Sequence, residues 1–150
     1  MEKKFKILIV EDEGTIYKMI KNQLYLNQYK FVRARNVSEA IDEYEKSKNE
    51  REQPIDCYVI DLQIDSTGLS EEEMCNFYKL EGYAWMKNYV FNTMNDTEIL
   101  NFKEKTIICS KYISLLERTY PSDLSGFILI SKMPDFESNV KDAIMKICKK

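Results

Sequence analysis

Five short segments rich in β-branched and aromatic residues recur along the chain, bounded by polar or turn-forming residues. This pattern predicts β-strands. The predicted strands cover residues 5–10, 30–35, 55–60, 105–110 and 126–131. The second segment is more polar than the others, which indicates a position near the edge of a sheet.

Between and after these strands, apolar residues return at steps of three and four, the spacing of an amphipathic helix. The predicted helices cover residues 14–28, 39–48, 83–94, 113–119 and 135–150. Ser38 is predicted to cap the second helix, and Asp96 to cap a further turn through Leu100. Strand and helix alternate five times, so we predict a parallel α/β sheet with helices on both faces.

The segment from 65 to 81 departs from this alternation. Residues 65–68 carry a turn signal. Ser70 and Glu73 have the spacing of a capping box, which predicts a short helix. Gly82 then interrupts the pattern before the third main helix.

Acidic and basic side chains stand where the predicted strands end. The carboxyl ends of parallel strands share one edge of a sheet, so we expect a cluster there of Glu11, Asp12, Asp61, Ser110 and Lys132. Carboxylates suit Mg²⁺, and Asp61 can act as a nucleophile towards phosphorus. Lys132 and Ser110 can neutralise and bind phosphoryl oxygens. Considered one at a time, each of these residues also fits an ordinary structural role, as a helix cap, a turn residue or a solvated lysine.

Composition narrows the classes of function. The net charge of −3 argues against nucleic acid as a main partner. No apolar run approaches the roughly 20 residues of a membrane span, and the acidic residues after Val10 exclude a signal peptide. The chain has no histidine and four scattered cysteines. We therefore expect free thiols, a cytoplasmic location and no mechanism that needs an imidazole in this chain.

Five features, in this order along nearly the whole chain, resemble the response-regulator receiver domain of two-component signalling. Residues 6–13 resemble its opening strand and acidic pair, and residues 61–64 its phosphoacceptor strand end. Gly82 resembles the glycine before its third helix. Ser110 and Lys132 match its switch hydroxyl and its phosphate-binding lysine, and they are 22 residues apart, as the family leads one to expect.

The resemblance implies a flavodoxin-like, doubly wound, five-stranded parallel sheet of order 2-1-3-4-5 with five flanking helices. Residues 1–150 would form one receiver-like domain with an enlarged segment between the third strand and the third helix, at 65–81. By resemblance, Glu11, Asp12, Asp61 and the backbone carbonyl of Gln63 bind Mg²⁺. Asp61 accepts a phosphoryl group from a histidine kinase, a phosphotransfer protein or a small donor. The domain would not be an enzyme beyond its own phosphorylation and slow dephosphorylation.

Several positions depart from the family pattern. Asp65 replaces a usual proline, Lys111 a usual small residue and Leu129 a frequent aromatic residue. Met133 separates Lys132 from Pro134, where the family has a Lys-Pro pair.

These departures keep an alternative open, a pseudo-receiver that binds partners without phosphorylation. A third interpretation is a magnesium-dependent phosphatase, but Gln63 stands where such enzymes need a second carboxylate.

No effector sequence follows the last predicted helix, so we expect a stand-alone receiver that signals through protein contacts. By resemblance, its target would bind the face formed by the fourth helix, fifth strand and fifth helix. Residues 65–80 are a second candidate contact for the target protein.

Overall fold

A parallel sheet forms the centre of the computed structural model, which describes residues 4–24, 27–49, 51–63, 81–111, 113–119 and 125–149. Within those ranges the sheet has five strands in the order β2-β1-β3-β4-β5, and every neighbouring pair is parallel. The strands are β1 Phe5–Val10, β2 Tyr29–Ala34, β3 Cys57–Ile60, β4 Thr106–Ser110 and β5 Ile128–Ser131.

Helices follow every strand, which confirms the predicted fold class. They are α1 Gly14–Lys21, α2 Val37–Ser47, α3 Glu81–Trp85, α4 Asp96–Glu104, α5 Ile113–Thr119 and α6 Phe136–Cys148. The connection from β3 to β4 contains both α3 and α4, and a π-helical turn over Met86–Val90 and a 3-10 turn over Phe91–Thr93 extend α3. Among the residues described, no helix has the length and apolar character needed to span a membrane.

The two faces of the sheet carry separate apolar cores. Successive side chains of a strand point to opposite faces. Leu8 and Val10 accordingly pack under α2 to α5, whereas Ile7 and Ile9 pack under α1 and α6. β1, β3 and β4 are buried on both faces, which explains why their sequences are almost continuously apolar.

The structure corrects the predicted start of the second helix. The side chain of Asn36 accepts a hydrogen bond from the backbone N–H of Glu39 at 2.9 Å, so Asn36 is the N-cap and α2 begins at Val37. Ser38 is exposed within the first turn. Both residues can cap a helix. The fully buried Val37 side chain accounts for the earlier start, because it places this residue in the core.

Other boundaries also differ from the prediction. The α-helical part of the first helix ends at Lys21 instead of residue 28. Asn95, and not Asp96, caps α4 in a capping box with Glu98, and the helix ends at Glu104 instead of at Leu100. The predicted turn at 65–68 and capping box at 70–73 lie outside the described residues.

Candidate functional site

Two buried carboxylates meet at the carboxyl edge of the sheet. Glu11 directly follows β1 and Asp61 directly follows β3, and the backbone N–H of Asp61 donates to the Val10 carbonyl at 3.0 Å. One carboxylate oxygen from each of Glu11, Asp12 and Asp61 lies within 4.8 Å of the other two. Glu11 is 2% exposed and Asp61 7%, while Asp12 is exposed to solvent.

Lys132, which directly follows β5, contacts both of these buried carboxylates. Its Nζ lies 2.7 Å from Asp61 Oδ2, 3.0 Å from Glu11 Oε1 and 3.2 Å from Glu11 Oε2. Because β4 lies between β5 and β3, the lysine side chain reaches over the end of β4. The backbone N–H of Lys132 also donates to the Ser110 carbonyl at 3.3 Å, which fixes the position from which the lysine side chain extends.

The cluster has more negative than positive charge. Burial, and then the charge of Asp61, raise the pKa of Glu11 to about 8, although Lys132 opposes the shift. Burial and Asp61 also raise the pKa of Asp12. Burial alone would lower the pKa of Lys132, but Asp61 and Glu11 outweigh it and raise that pKa to about 12. This charge balance would favour a further cation, and the all-oxygen donor set fits Mg²⁺.

Ser110 and Gln63 were also predicted to belong to the site. Ser110 lies at the same edge of the sheet, and Gln63 lies beside Asp61. Ser110 is the last residue of β4 and is fully buried. The backbone N–H of Gln63 donates to Asp61 Oδ1 at 3.2 Å, which ties this residue to the carboxylate. That bond concerns the amide of Gln63, so the role of its carbonyl as a metal ligand stays a prediction.

Gly82 allows α3 to pack directly on the backbone of Asp61. Its N–H donates to the Leu62 carbonyl at 2.8 Å. A Cβ at this position would overlap the carbonyl oxygen of Asp61 and lie 3.0 Å from its carbonyl carbon. The glycine singled out in the sequence thus has a physical reason, close approach of a helix to the strand end that carries the carboxylate.

Arg33 is a site neighbour that sequence reasoning missed. Its Nε donates to the Glu11 carbonyl at 3.1 Å and its Nη2 to the Asp12 carbonyl at 2.8 Å. Its guanidinium also lies 5.5 Å from the centre of the Tyr17 ring. Strand alternation places Arg33 on the same face of β2 as Tyr29 and Phe31, but it does not indicate that the side chain bends back to the backbone after β1.

Three departures from the family pattern fall on described residues, and all three lie on the surface. Lys111, which directly follows β4, is exposed. Leu129 on the edge strand β5 is 38% exposed and Met133 is 66% exposed. Asp65 lies outside the described residues.

No protein-family model matches the chain, and no curated protein matches its sequence. The structure, in contrast, is similar to many solved receiver domains. The phosphorylated cyanobacterial phytochrome response regulator RcpA superimposes with a TM-score of 0.65 at 18% identity, over 97% of this chain and 95% of that one.

Two further similar structures extend this comparison. A CheY-like receiver domain from Methanospirillum hungatei has a TM-score of 0.61 at 18% identity, over 98% of this chain and 96% of its own. A chemotaxis response regulator of Vibrio cholerae has a TM-score of 0.63 at 13% identity, over 97% and 99%. The chain therefore has the fold of the response-regulator receiver domains along nearly its whole length.

Proposed function

We propose that this chain is a response-regulator receiver that accepts a phosphoryl group on Asp61 and signals through protein contacts. The observation that supports this most is the arrangement of Asp61 between two further carboxylates and the ammonium group of Lys132. Residues 1–150 would act as one receiver-like domain in the cytoplasm. The fold itself fits a signalling domain that has no external substrate.

The proposed transfer is a displacement at phosphorus. A carboxylate oxygen of Asp61 forms the new O–P bond while the bond from phosphorus to the donor breaks. With phosphohistidine, the imidazole nitrogen keeps the electron pair and takes a proton. With acetyl phosphate, acetate leaves. Lys132, already 2.7 Å from Asp61 Oδ2, supplies positive charge to the phosphoryl oxygens, and the Ser110 hydroxyl donates to one of them.

Glu11, Asp12 and Asp61, with the Gln63 carbonyl, would hold Mg²⁺ beside the acceptor. When bound, the metal neutralises charge on the phosphoryl group during transfer. The buried Glu11 and Asp61 can stay ionised together more easily once that charge is present. Slow hydrolysis of the acyl phosphate would reset the domain.

The histidine content and the net charge of the chain bear on its proposed partners. These 150 residues contain no histidine, so a phosphohistidine donor has to lie outside them. We propose a histidine kinase or a phosphotransfer protein as that donor. A downstream target protein would bind the phosphorylated form. A net charge of −3 does not favour direct contact with nucleic acid or an anionic membrane.

The pseudo-receiver remains the second candidate. The exposed Leu129 on β5 favours it, because an aliphatic side chain there cannot act as a rotating aromatic switch. The phosphatase interpretation is weaker, since the side chain at position 63 is an amide and cannot exchange a proton as a general acid.

The deciding experiment is intact-mass spectrometry after incubation with acetyl phosphate, with and without Mg²⁺. We expect the wild-type protein to gain one phosphoryl group only when Mg²⁺ is present. Asp61→Asn should gain none. Asp42→Asn, which removes an exposed carboxylate on α2, should behave as wild type.

The pseudo-receiver would be favoured if the folded wild-type protein gained no phosphate, either from acetyl phosphate or from cell extracts that contain histidine kinases. A phosphate that persists in Asp61→Asn would place the acceptor elsewhere. Steady release of phosphate from a phosphomonoester would support the phosphatase instead.

A further inference from the structure

Arg33 joins the edge strand β2 to the backbone of the acidic residues. Its guanidinium donates from two nitrogens, to the Glu11 carbonyl at 3.1 Å and to the Asp12 carbonyl at 2.8 Å. It does not pair with the carboxylates of those residues, so its contacts act on the path of the main chain. The pairing of β1 with β2 holds the same stretch of backbone at the end of β1, because the N–H of Glu11 donates to the Ala34 carbonyl at 2.9 Å.

The other side of the guanidinium is also supported. The Tyr17 ring on α1 lies 5.5 Å from its central carbon, and the first residue of α1, Gly14, lies beside it. Arg33 is half-buried by these contacts. A planar fork with fixed donors whose central carbon lies over an aromatic ring is a geometry that lysine cannot reproduce.

We propose that Arg33 is a positioning residue for the metal site, which sets the affinity for Mg²⁺ by fixing the backbone that carries Glu11 and Asp12. This inference rests on the proposed function of the acidic cluster. Groups that orient metal ligands commonly change metal affinity by 10- to 100-fold when they are removed, although they do not touch the ion.

The charge and the geometry of Arg33 predict opposite results. A positive charge near a cation site repels the incoming ion, so removing the charge alone should tighten Mg²⁺ binding. Removing two hydrogen bonds to the ligand-bearing backbone should weaken it. The sign of the change in affinity therefore separates a positioning role from a general electrostatic one.

The test compares Mg²⁺ affinity by isothermal titration calorimetry in the full chain and three variants. Arg33→Met keeps a long apolar stem against Tyr17 but loses the charge and both hydrogen bonds. Arg33→Lys keeps the charge but loses the fork. Arg35→Met is the matched control, since Arg35 follows the same strand and pairs on the surface with Glu39 at 2.9 Å.

We expect the dissociation constant for Mg²⁺ to rise about tenfold in Arg33→Met and severalfold in Arg33→Lys. It should change less than about twofold in Arg35→Met, because exposed ion pairs contribute little. In the metal-free protein, amide hydrogen exchange at residues 12–14 should become faster in Arg33→Met, less so in Arg33→Lys, and stay unchanged in Arg35→Met.

Equal or tighter binding by Arg33→Met would overturn the inference. If that variant does not fold, Arg33→Lys decides, because wild-type affinity in a variant that keeps the charge would contradict the positioning role. A wild-type protein that binds no Mg²⁺ would overturn the proposed function as well. Normal wild-type binding with unaffected Arg33 variants would overturn only the role of Arg33.

Discussion

Lys132 forms two ion pairs with a single charge. Its side chain is 9% exposed, and the carboxylates that it contacts are buried at the end of β1 and β3. Without the ammonium group, Glu11 and Asp61 would face each other with little solvent between them. Removing one partner of a buried charge network costs more than the network contributes, because it leaves uncompensated charge.

Lys132→Met should therefore lower the free energy of unfolding by about 3 kcal/mol in the absence of divalent metal. Added Mg²⁺ should recover part of that loss, since the metal would replace the missing positive charge. Urea denaturation with and without Mg²⁺ measures both effects.

Lys111→Met is the matched control for this variant. Lys111 also directly follows a strand at the same edge, but its side chain is exposed. We expect its stability to stay within about 0.5 kcal/mol of the wild type. Equal losses in the two variants would show that the ion pairs of Lys132 do not stabilise the fold.

The sequence indicates which charged residues share an edge but not how they are joined. Glu11, Asp61 and Lys132 were predictable because each follows a predicted strand and parallel strands end at the same edge. The contacts of Arg33 were not, because a charged residue in a polar strand is typical of a solvated edge. Its role depends on where a long side chain bends, and strand periodicity does not specify that.

At the scale of elements, the approach of α3 to β3 depends on one missing methyl group. Gly82→Ala would force the helix away from the Asp61 carbonyl, or the carbonyl away from the helix. We expect a loss of up to about 3 kcal/mol in the free energy of unfolding, the upper end of what overpacked core substitutions typically cost. Phosphorylation of Asp61 should slow in the same variant, because its backbone is displaced.

Gly14→Ala offers the contrast within the same chain. A Cβ there would lie 3.5 Å from the nearest atom of Arg33, which is ordinary contact. Alanine is favoured over glycine in a helix by about 0.5 kcal/mol or more, so this variant should be as stable as the wild type or slightly more so. Similar losses at positions 14 and 82 would contradict the steric explanation. Thermal unfolding of both variants makes the comparison.

Helices were easier to predict than their ends. The apolar spacing located α2 and α6 because each buries one face against the sheet. Their limits depend on which of several capping residues the core selects. Asn36 caps α2 in place of Ser38 because Val37, in the first turn, is buried in the core.

At the scale of the whole molecule, alternation of strands and helices predicted a parallel sheet, whereas the strand order came from family resemblance. The alternation is local, but the pairing of β1 with β3 joins segments separated by two helical connections. No residue in either strand specifies that partner by itself. The polar character of β2 did indicate an edge, and the structure confirms that β2 is an edge strand.

Binding of Mg²⁺ to the folded state alone should stabilise the whole domain. At a hundred times its dissociation constant, the metal should add about 2.7 kcal/mol to the free energy of unfolding. Removal with a chelator should reverse the gain. The shift in urea midpoint with Mg²⁺ concentration measures it.

Potassium chloride at equal ionic strength controls for general salt effects. Asp12→Asn should keep the stability of the metal-free fold, because Asp12 is exposed, but lose most of the gain from Mg²⁺. A full gain in that variant would mean that the metal binds elsewhere.

The hydrogen bond from Gly82 N–H to the Leu62 carbonyl, at 2.8 Å, holds together the two ends of the intervening segment. The entropy of closing a loop grows only with the logarithm of its length, so doubling the length costs about 0.6 kcal/mol. A connection whose ends are fixed in this way can gain or lose residues at little cost in stability. A change in the length of this connection would therefore leave the strand end that carries Asp61 in place.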